Sequence, residues 1–186
     1  MHRYTPAAGL PEKPLPDPIP LKIEFPTSNE PSIPIAVVMQ RRALQNRWQS
    51  EAWDPVGVIV NHAGAGAPSL LVEEGGVTQW LHPGFELKLF RDEAEGYYLN
   101  VSSDQPRVFV MWRMEEGLAV PKFVTLSYNE AGRLMDGGEQ VDTVDMPAEL
   151  MAWVGGYVEE NYRPEQKKRN RPKSFLSPKD RVGKPS

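Results

Sequence analysis

Between residues 33 and 127 the sequence is a series of short apolar or alternating segments separated by turn residues. Alternation of apolar and polar residues is typical of β-strands with one buried face. The last four segments are joined by short connections, which predicts an antiparallel meander. The predicted strands are 33–39, 47–60 with a kink at Asp54-Pro55, 70–73, 77–81, 85–90, 96–101, 107–114 and 119–127.

A first helix is predicted directly after the strands. Ser127 and Glu130 have the spacing of a capping box, in which the serine caps an amide and the glutamate reaches back to the serine amide. Ala131, Leu134 and Met135 form an apolar stripe, and the Gly137-Gly138 pair is expected to end the helix in the left-handed conformation.

A second, amphipathic helix is predicted from Asp145-Met146-Pro147 to Pro164, since proline is tolerated in a first helical turn. We expect the Gly155-Gly156 pair to let this helix approach the sheet closely. The apolar face comprises Leu150, Trp153, Val154, Tyr157 and Val158.

Together these elements predict an α+β fold. The expected architecture is one strongly curved antiparallel sheet of about six to eight strands, either open or closed into a small barrel. A short helix and the amphipathic C-terminal helix pack on it. A chain of 186 residues is the size of one domain. We place this domain at 33–162, between a proline-rich segment at 1–32 and a basic tail at 163–186.

The N-terminal segment, 1–32, contains eight prolines and is expected to be extended. Two interpretations stay open for it: a solvated tail, or a segment with strand character that lies along a sheet edge or is offered to a partner. The second rests on four apolar residues at every other position: Ile19, Leu21, Ile23 and Phe25.

Charge separates the tail from the body. The body carries nine basic and nineteen acidic residues, net −10, whereas 163–186 carries nine basic and two acidic residues, net +7. The tail resembles a nucleic-acid arm in composition, but it has one aromatic residue and the body repels nucleic acid, so we do not expect that partner. A solvated tail, or a tail docked on an acidic protein surface or on its own body, remain the alternatives.

Several classes of function are not expected from the residue content. The chain has no cysteine, which excludes thiol nucleophiles and cysteine-ligated metal clusters. The Gly64-x-Gly66 loop lacks the lysine of a phosphate-binding loop, and no Gly-x-Ser-x-Gly elbow occurs. No metal site or cofactor is expected. No segment approaches the roughly 20 apolar residues of a membrane span, and the first residues lack a signal peptide, so the cytoplasm is the expected location.

Two sets of candidate site residues remain. The partner-binding candidates are two tryptophans and the basic and apolar residues of the tail: Trp48, Trp53, Lys167, Lys168, Arg169, Arg171, Phe175 and Leu176. Trp48 and Trp53 differ in parity, so on one strand they would face opposite sides. The alternative is an enzyme or small-molecule-binding protein with a pocket at the mouth of the sheet, formed by His82, Tyr98 and Arg113. Arg113 is expected to pair with Glu51 or Glu86.

The sequence also resembles an uncharacterised bacterial domain family over roughly residues 33–175. The resemblance rests on six strings: Ile33–Met39, Trp48-x-Ser50-x-x-Trp53-x-Pro55-Val-Gly-Val58, Leu81–Phe85, Glu95–Asn100, Val110–Arg113 and Tyr162–Pro164. Members of that family are associated with gene neighbourhoods of molybdenum- or tungsten-dependent formate dehydrogenases. The resemblance implies an accessory role in maturation or regulation, with a formate dehydrogenase subunit or its chaperone as partner, and it supplies no catalytic residue.

Overall fold

The structure, a computed structural model, describes residues 30–45 and 47–164. This part of the chain forms seven β-strands, one short 3₁₀ helix and three α-helices. The elements in chain order are β1 (Ser32–Ala43), β2 (Glu51–Val60), β3 (Ser69–Glu74), β4 (Val77–Lys88), the 3₁₀ helix (Arg91–Glu93), α1 (Ala94–Val101), β5 (Arg107–Glu115), β6 (Leu118–Thr125), α2 (Tyr128–Asp136), β7 (Gln140–Asp145) and α3 (Ala148–Asn161).

The strands form two antiparallel sheets, so the predicted α+β class is confirmed and the single curved sheet is wrong. The first sheet has the order β2-β1-β4-β3 and the second the order β6-β5-β7. Neither closes into a barrel. The sheets meet where β2 lies against β7 and β4 against β6. The first sheet joins strands that are distant in sequence, since β1 pairs with β4.

The hydrophobic core lies between the inner faces of the sheets and helix α3. Ile35, Val37 and Met39 of β1 are fully buried at every second position, as expected for one face of a strand. From α3, Leu150, Val154 and Val158 point into the same core, one helical turn apart. The predicted apolar face of the C-terminal helix is therefore confirmed. The expected close approach at Gly155-Gly156 is wrong, because a Cβ at either position would meet no atom within 4 Å.

Residues 96–101, predicted as a strand, belong to helix α1. The meander expected from 85 to 127 is therefore wrong: only β5 and β6 in it are neighbouring strands. The predicted break between the strands at 77–81 and 85–90 is also wrong, since β4 continues through residues 82–84 with a register shift and a left-handed Gly84. Strand β7 was not predicted from the sequence, and it pairs with β5.

Helix α2 begins at the predicted cap, although not as a full capping box. The Ser127 hydroxyl accepts a hydrogen bond from the Glu130 amide at 3.1 Å. The Glu130 carboxylate accepts from the Thr125 hydroxyl at 2.6 Å rather than reaching back to the Ser127 amide, which donates to Thr125 Oγ1. Met135, predicted to belong to the apolar stripe, is half exposed. Gly138 has the expected left-handed conformation.

Candidate functional site

Strand β3 is the outermost strand of the first sheet, and all six of its residues are exposed. It pairs with β4 on one side, and no other strand of the described residues pairs with its outer edge. Leu70, Leu71 and Val72 are 54%, 46% and 40% exposed. An edge strand with unpaired backbone groups and apolar side chains is a template for pairing with another chain.

The β3–β4 turn fixes the position of this edge. Glu74 pairs with Val77, and the two residues between them, Gly75 and Gly76, have φ values of 58° and 81°. Two left-handed residues in a two-residue loop are the hairpin geometry that glycine favours. A register shift between Leu70 and Val72 places Leu70 opposite Trp80 and Val72 opposite Gln79. Because the shift is one residue, the apolar side chains of β3 are present on both faces of the edge.

An acidic cavity of about 350 Å³ lies at the C-terminal end of β3. Three carboxylates line it, from Glu51, Glu73 and Glu74, together with one cation, Arg41. The Arg41 guanidinium donates to the Thr78 hydroxyl at 3.3 Å and lies 3.9 Å from a Glu51 oxygen. Within the part of the chain described here, Glu73 and Glu74 have no ion pair. Among the described residues, the negative charge of this cavity, which lies beside an apolar strand edge, is therefore not fully neutralised.

The two tryptophans predicted to bind a partner have different environments. Trp53 stacks on Trp80 with ring centroids 5.3 Å apart, and its Nε1 donates to Glu51 at 3.0 Å. Trp48 lies in the loop before β2 and is 90% exposed, with the Arg47 guanidinium 5.9 Å from its ring. Because β2 begins at Glu51, the parity comparison between the two on one strand does not apply.

The three residues of the alternative pocket have separate contacts. His82 of β4 lines an apolar cavity of about 60 Å³ that contains neither Tyr98 nor Arg113, and desolvation by burial lowers its pKa. Tyr98 of α1 packs on Tyr162, with ring centroids 4.8 Å apart.

Arg113 of β5 forms a two-pronged ion pair with Glu139, so the expected pairing with Glu51 or Glu86 is wrong. The hydrogen bonds of this pair raise the pKa of Arg113 and lower the pKa of Glu139.

Six of the predicted partner-binding residues lie outside the described residues: Lys167, Lys168, Arg169, Arg171, Phe175 and Leu176. In residues 30–45 and 47–164 no group of three or more His, Asp or Glu side chains could hold a metal ion. No helix of this same region is long and apolar enough to cross a membrane.

The β3 edge is the feature that sequence reasoning missed. The sequence predicted a strand at 70–73, but it contained no sign that this strand is outermost. The local pattern is a run of three apolar residues, Leu70 to Val72, without polar residues between them. Such a run usually marks a strand buried on both faces, whereas here it is exposed on both.

Residues 34–171 match a protein family described as "Protein of unknown function (DUF3305)". The match covers more than half of the chain, so this chain belongs to that family. The expected membership of a domain family of unknown function is therefore confirmed. No curated protein and no solved structure matches the chain significantly.

Proposed function

We propose that this protein is a non-catalytic accessory protein that acts by protein–protein contacts, and that the β3 edge binds an extended segment of its partner. The observation that carries the proposal is the exposure of Leu70, Leu71 and Val72 on a strand whose outer edge is unpaired among the described residues. An added strand would form backbone hydrogen bonds and cover these side chains at the same time.

The acidic cavity indicates the chemistry of the partner segment. Its apolar residues would cover β3, and a lysine or arginine would enter the cavity beside Glu73 and Glu74. A second copy of β3 is a poorer occupant, because Ser69–Glu74 contains two glutamates and no basic residue. Two such strands would bring like charges together without compensation.

A single added strand is a small interface. Stable protein–protein interfaces bury about 1,200–2,000 Å² in total, and a six-residue strand covers less, so we expect a transient contact. The basic tail would supply a second anchor on an acidic surface of the same partner. Two linked weak contacts raise the overall affinity without any change in either.

We further propose that the partner is a subunit of a molybdenum- or tungsten-dependent formate dehydrogenase or its chaperone, met in the cytoplasm during maturation or regulation of the enzyme. The support for this partner is the resemblance of the sequence to a family found in such gene neighbourhoods. The net charge of +7 in residues 163–186 supports an acidic surface on the partner.

Titration of the full-length chain against purified formate dehydrogenase and, separately, against its chaperone tests the proposal. We expect Leu71→Lys to weaken binding at least tenfold, because it places a charge in the apolar edge. The matched control is Met135→Lys, an equally exposed apolar position on α2. Equal dissociation constants for the two variants would contradict the role of β3, and no binding of the wild-type chain would contradict the choice of partner.

The contribution of the tail is tested by deletion of residues 165–186. We expect the deletion to weaken binding at low ionic strength and the difference to shrink as salt rises, since screening shortens the range of charge attraction. Retention of full affinity at low salt would contradict the second anchor.

A further inference from the structure

A second groove lies at the other end of β4 from the acidic cavity. It has a volume of about 760 Å³ and lies between the last turns of α3 and the connection that follows β4. Phe90, 36% exposed, and Tyr157 supply its apolar surface. Asp92 and Glu160 place negative charge on its walls, beside Arg91.

The chain enters this groove immediately before β1. Ser32 pairs with Lys88, and the Leu89 amide donates to the Pro31 carbonyl at 3.0 Å, so the ladder continues past the end of the strand. Glu30 and Pro31 themselves line the groove. Because β1 and β4 are antiparallel, Glu30 and Pro31 lie alongside Leu89 and Phe90 at the groove.

The sequence upstream of Glu30 contains one segment that fits an apolar groove. Ile19, Leu21, Ile23 and Phe25 alternate with Pro20, Lys22 and Glu24, which is the period of a strand. Phe25 is five residues from Glu30, a length of chain that spans up to about 17 Å when extended. The segment is therefore within reach of the groove without any displacement of β1.

We propose that residues 19–25 of this chain bind in the groove, with the odd-numbered apolar side chains against Phe90 and Tyr157. Lys22 and Glu24, on the opposite side of the segment, lie towards the rim, where Asp92 and Glu160 are opposite in charge to Lys22 and Arg91 is opposite in charge to Glu24. This contact is separate from the β3 edge and does not depend on the proposed function. In this arrangement the chain's own N-terminal segment covers the groove between α3 and the connection that follows β4.

The chain's own segment is favoured over another occupant by its attachment. A short linker gives a tethered segment an effective concentration in the millimolar range. A separate molecule that binds equally tightly is rarely present at such a concentration. The contact is small, so it would be weak between separate molecules. Within one chain it is favourable, because closure of the short loop between the segment and Glu30 costs little entropy.

Because the chain has no cysteine, thiol labelling can map the contact. Single-cysteine variants of the full-length chain are labelled under native conditions, and the rates are compared. We expect Ile23→Cys to react at least tenfold more slowly than Glu24→Cys, its neighbour on the other side of the segment. The matched control is Leu10→Cys, upstream of the alternating residues, which should react as fast as Glu24→Cys. Phe90→Ser should remove the protection at position 23.

Equal labelling rates at positions 23 and 24 would overturn the proposal, as would protection that survives Phe90→Ser. Protection that disappears on dilution would also overturn it, since it would mean that a second copy supplies the segment. A second measurement does not rely on cysteine: in Ile23→Asp, we expect amide hydrogen exchange of residues 157–161 to be at least fivefold faster than in wild type. The control Leu10→Asp should leave this exchange unchanged.

Discussion

The side chain of Asn100 and the backbone of Arg107 form a reciprocal pair of hydrogen bonds. Asn100 Nδ2 donates to the Arg107 carbonyl at 2.7 Å, and Asn100 Oδ1 accepts from the Arg107 amide at 2.9 Å. Nδ2 also donates to the Leu126 carbonyl at 2.8 Å. One fully buried side chain therefore connects the end of α1, the beginning of β5 and the residue after β6.

We expect Asn100→Ala to lower the free energy of unfolding by about 3 kcal/mol, since a buried backbone group left without a partner costs roughly 1–3 kcal/mol. Urea denaturation followed by circular dichroism measures the loss. The control is Leu99→Ala, the preceding residue of the same helix, which is 45% exposed and should cost less than about 1 kcal/mol. Equal losses in the two variants would contradict a special role for Asn100.

Two glycines in helices should respond to alanine with opposite signs. A Cβ at Gly96 of α1 would lie 2.1 Å from Ser127 Oγ, inside the cap of α2, so we expect Gly96→Ala to lower the melting temperature by several degrees. Gly132 of α2 has no atom within 4 Å of a Cβ, and Gly132→Ala should stabilise the protein by about 0.4–1 kcal/mol. Thermal unfolding of both variants tests the pair, and stabilisation by Gly96→Ala would contradict the close approach of α1 to α2.

We expect alanine substitutions of the two tryptophans predicted to bind a partner to differ in their effect on the free energy of unfolding. Trp48 is 90% exposed, so Trp48→Ala should change the free energy of unfolding by less than about 0.5 kcal/mol. Trp53 stacks on Trp80, so Trp53→Ala should cost more than about 1 kcal/mol. If Trp48 contacts the partner, its variant should lose affinity in the same titration that tests Leu71→Lys. A large loss of stability in Trp48→Ala would contradict its placement in an exposed loop.

The fold was predictable where the local pattern and the final packing agree. The alternation at 107–114 and 119–127 corresponds to β5 and β6, and the apolar positions of α3 were correctly assigned. The helix at residues 96–101 was not predicted, because the aromatic and β-branched residues of this segment favour a strand. Tertiary contacts stabilise a helix instead. The Tyr97 hydroxyl accepts a hydrogen bond from the Phe90 amide at 3.3 Å, and the Asn100 side chain in the last turn donates to the Leu126 carbonyl.

The candidate site was less predictable, because it depends on strand order. The sequence predicts the strand at 70–73. Its exposure, however, follows from its position at the outer side of β4, and no local sequence pattern indicates that position. Strand β7 has a weak pattern, with Val144 buried and Val141 only partly so, and it lies between a glycine turn and a helix. His82, Tyr98 and Arg113 lie on the first sheet, on helix α1 and on the second sheet, a division that no local sequence pattern indicates.

His82 should give the protein a pH-dependent stability between neutral and mildly acidic pH. Burial lowers the pKa of His82 below its usual value of 6.5, and the residues that line its cavity are all uncharged. The unfolded chain therefore takes up this proton at a higher pH than the folded protein. The contribution of His82 to stability is complete above pH 6.5 and decreases as the pH falls through the folded-state pKa.

Urea unfolding at a series of pH values from 7.5 to about 5 measures this effect. In this range we expect the free energy of unfolding to fall for the wild-type chain and to change much less for His82→Gln. Carboxylates such as Glu86 and Glu139 have pKa values lowered from 4.5, so their losses occur at more acidic pH. Leu99→Ala keeps His62 and His82 and should retain the wild-type slope. A slope unchanged in His82→Gln would show that another group carries the pH dependence and that the cavity beside Trp53 and Trp80 admits a charged imidazole.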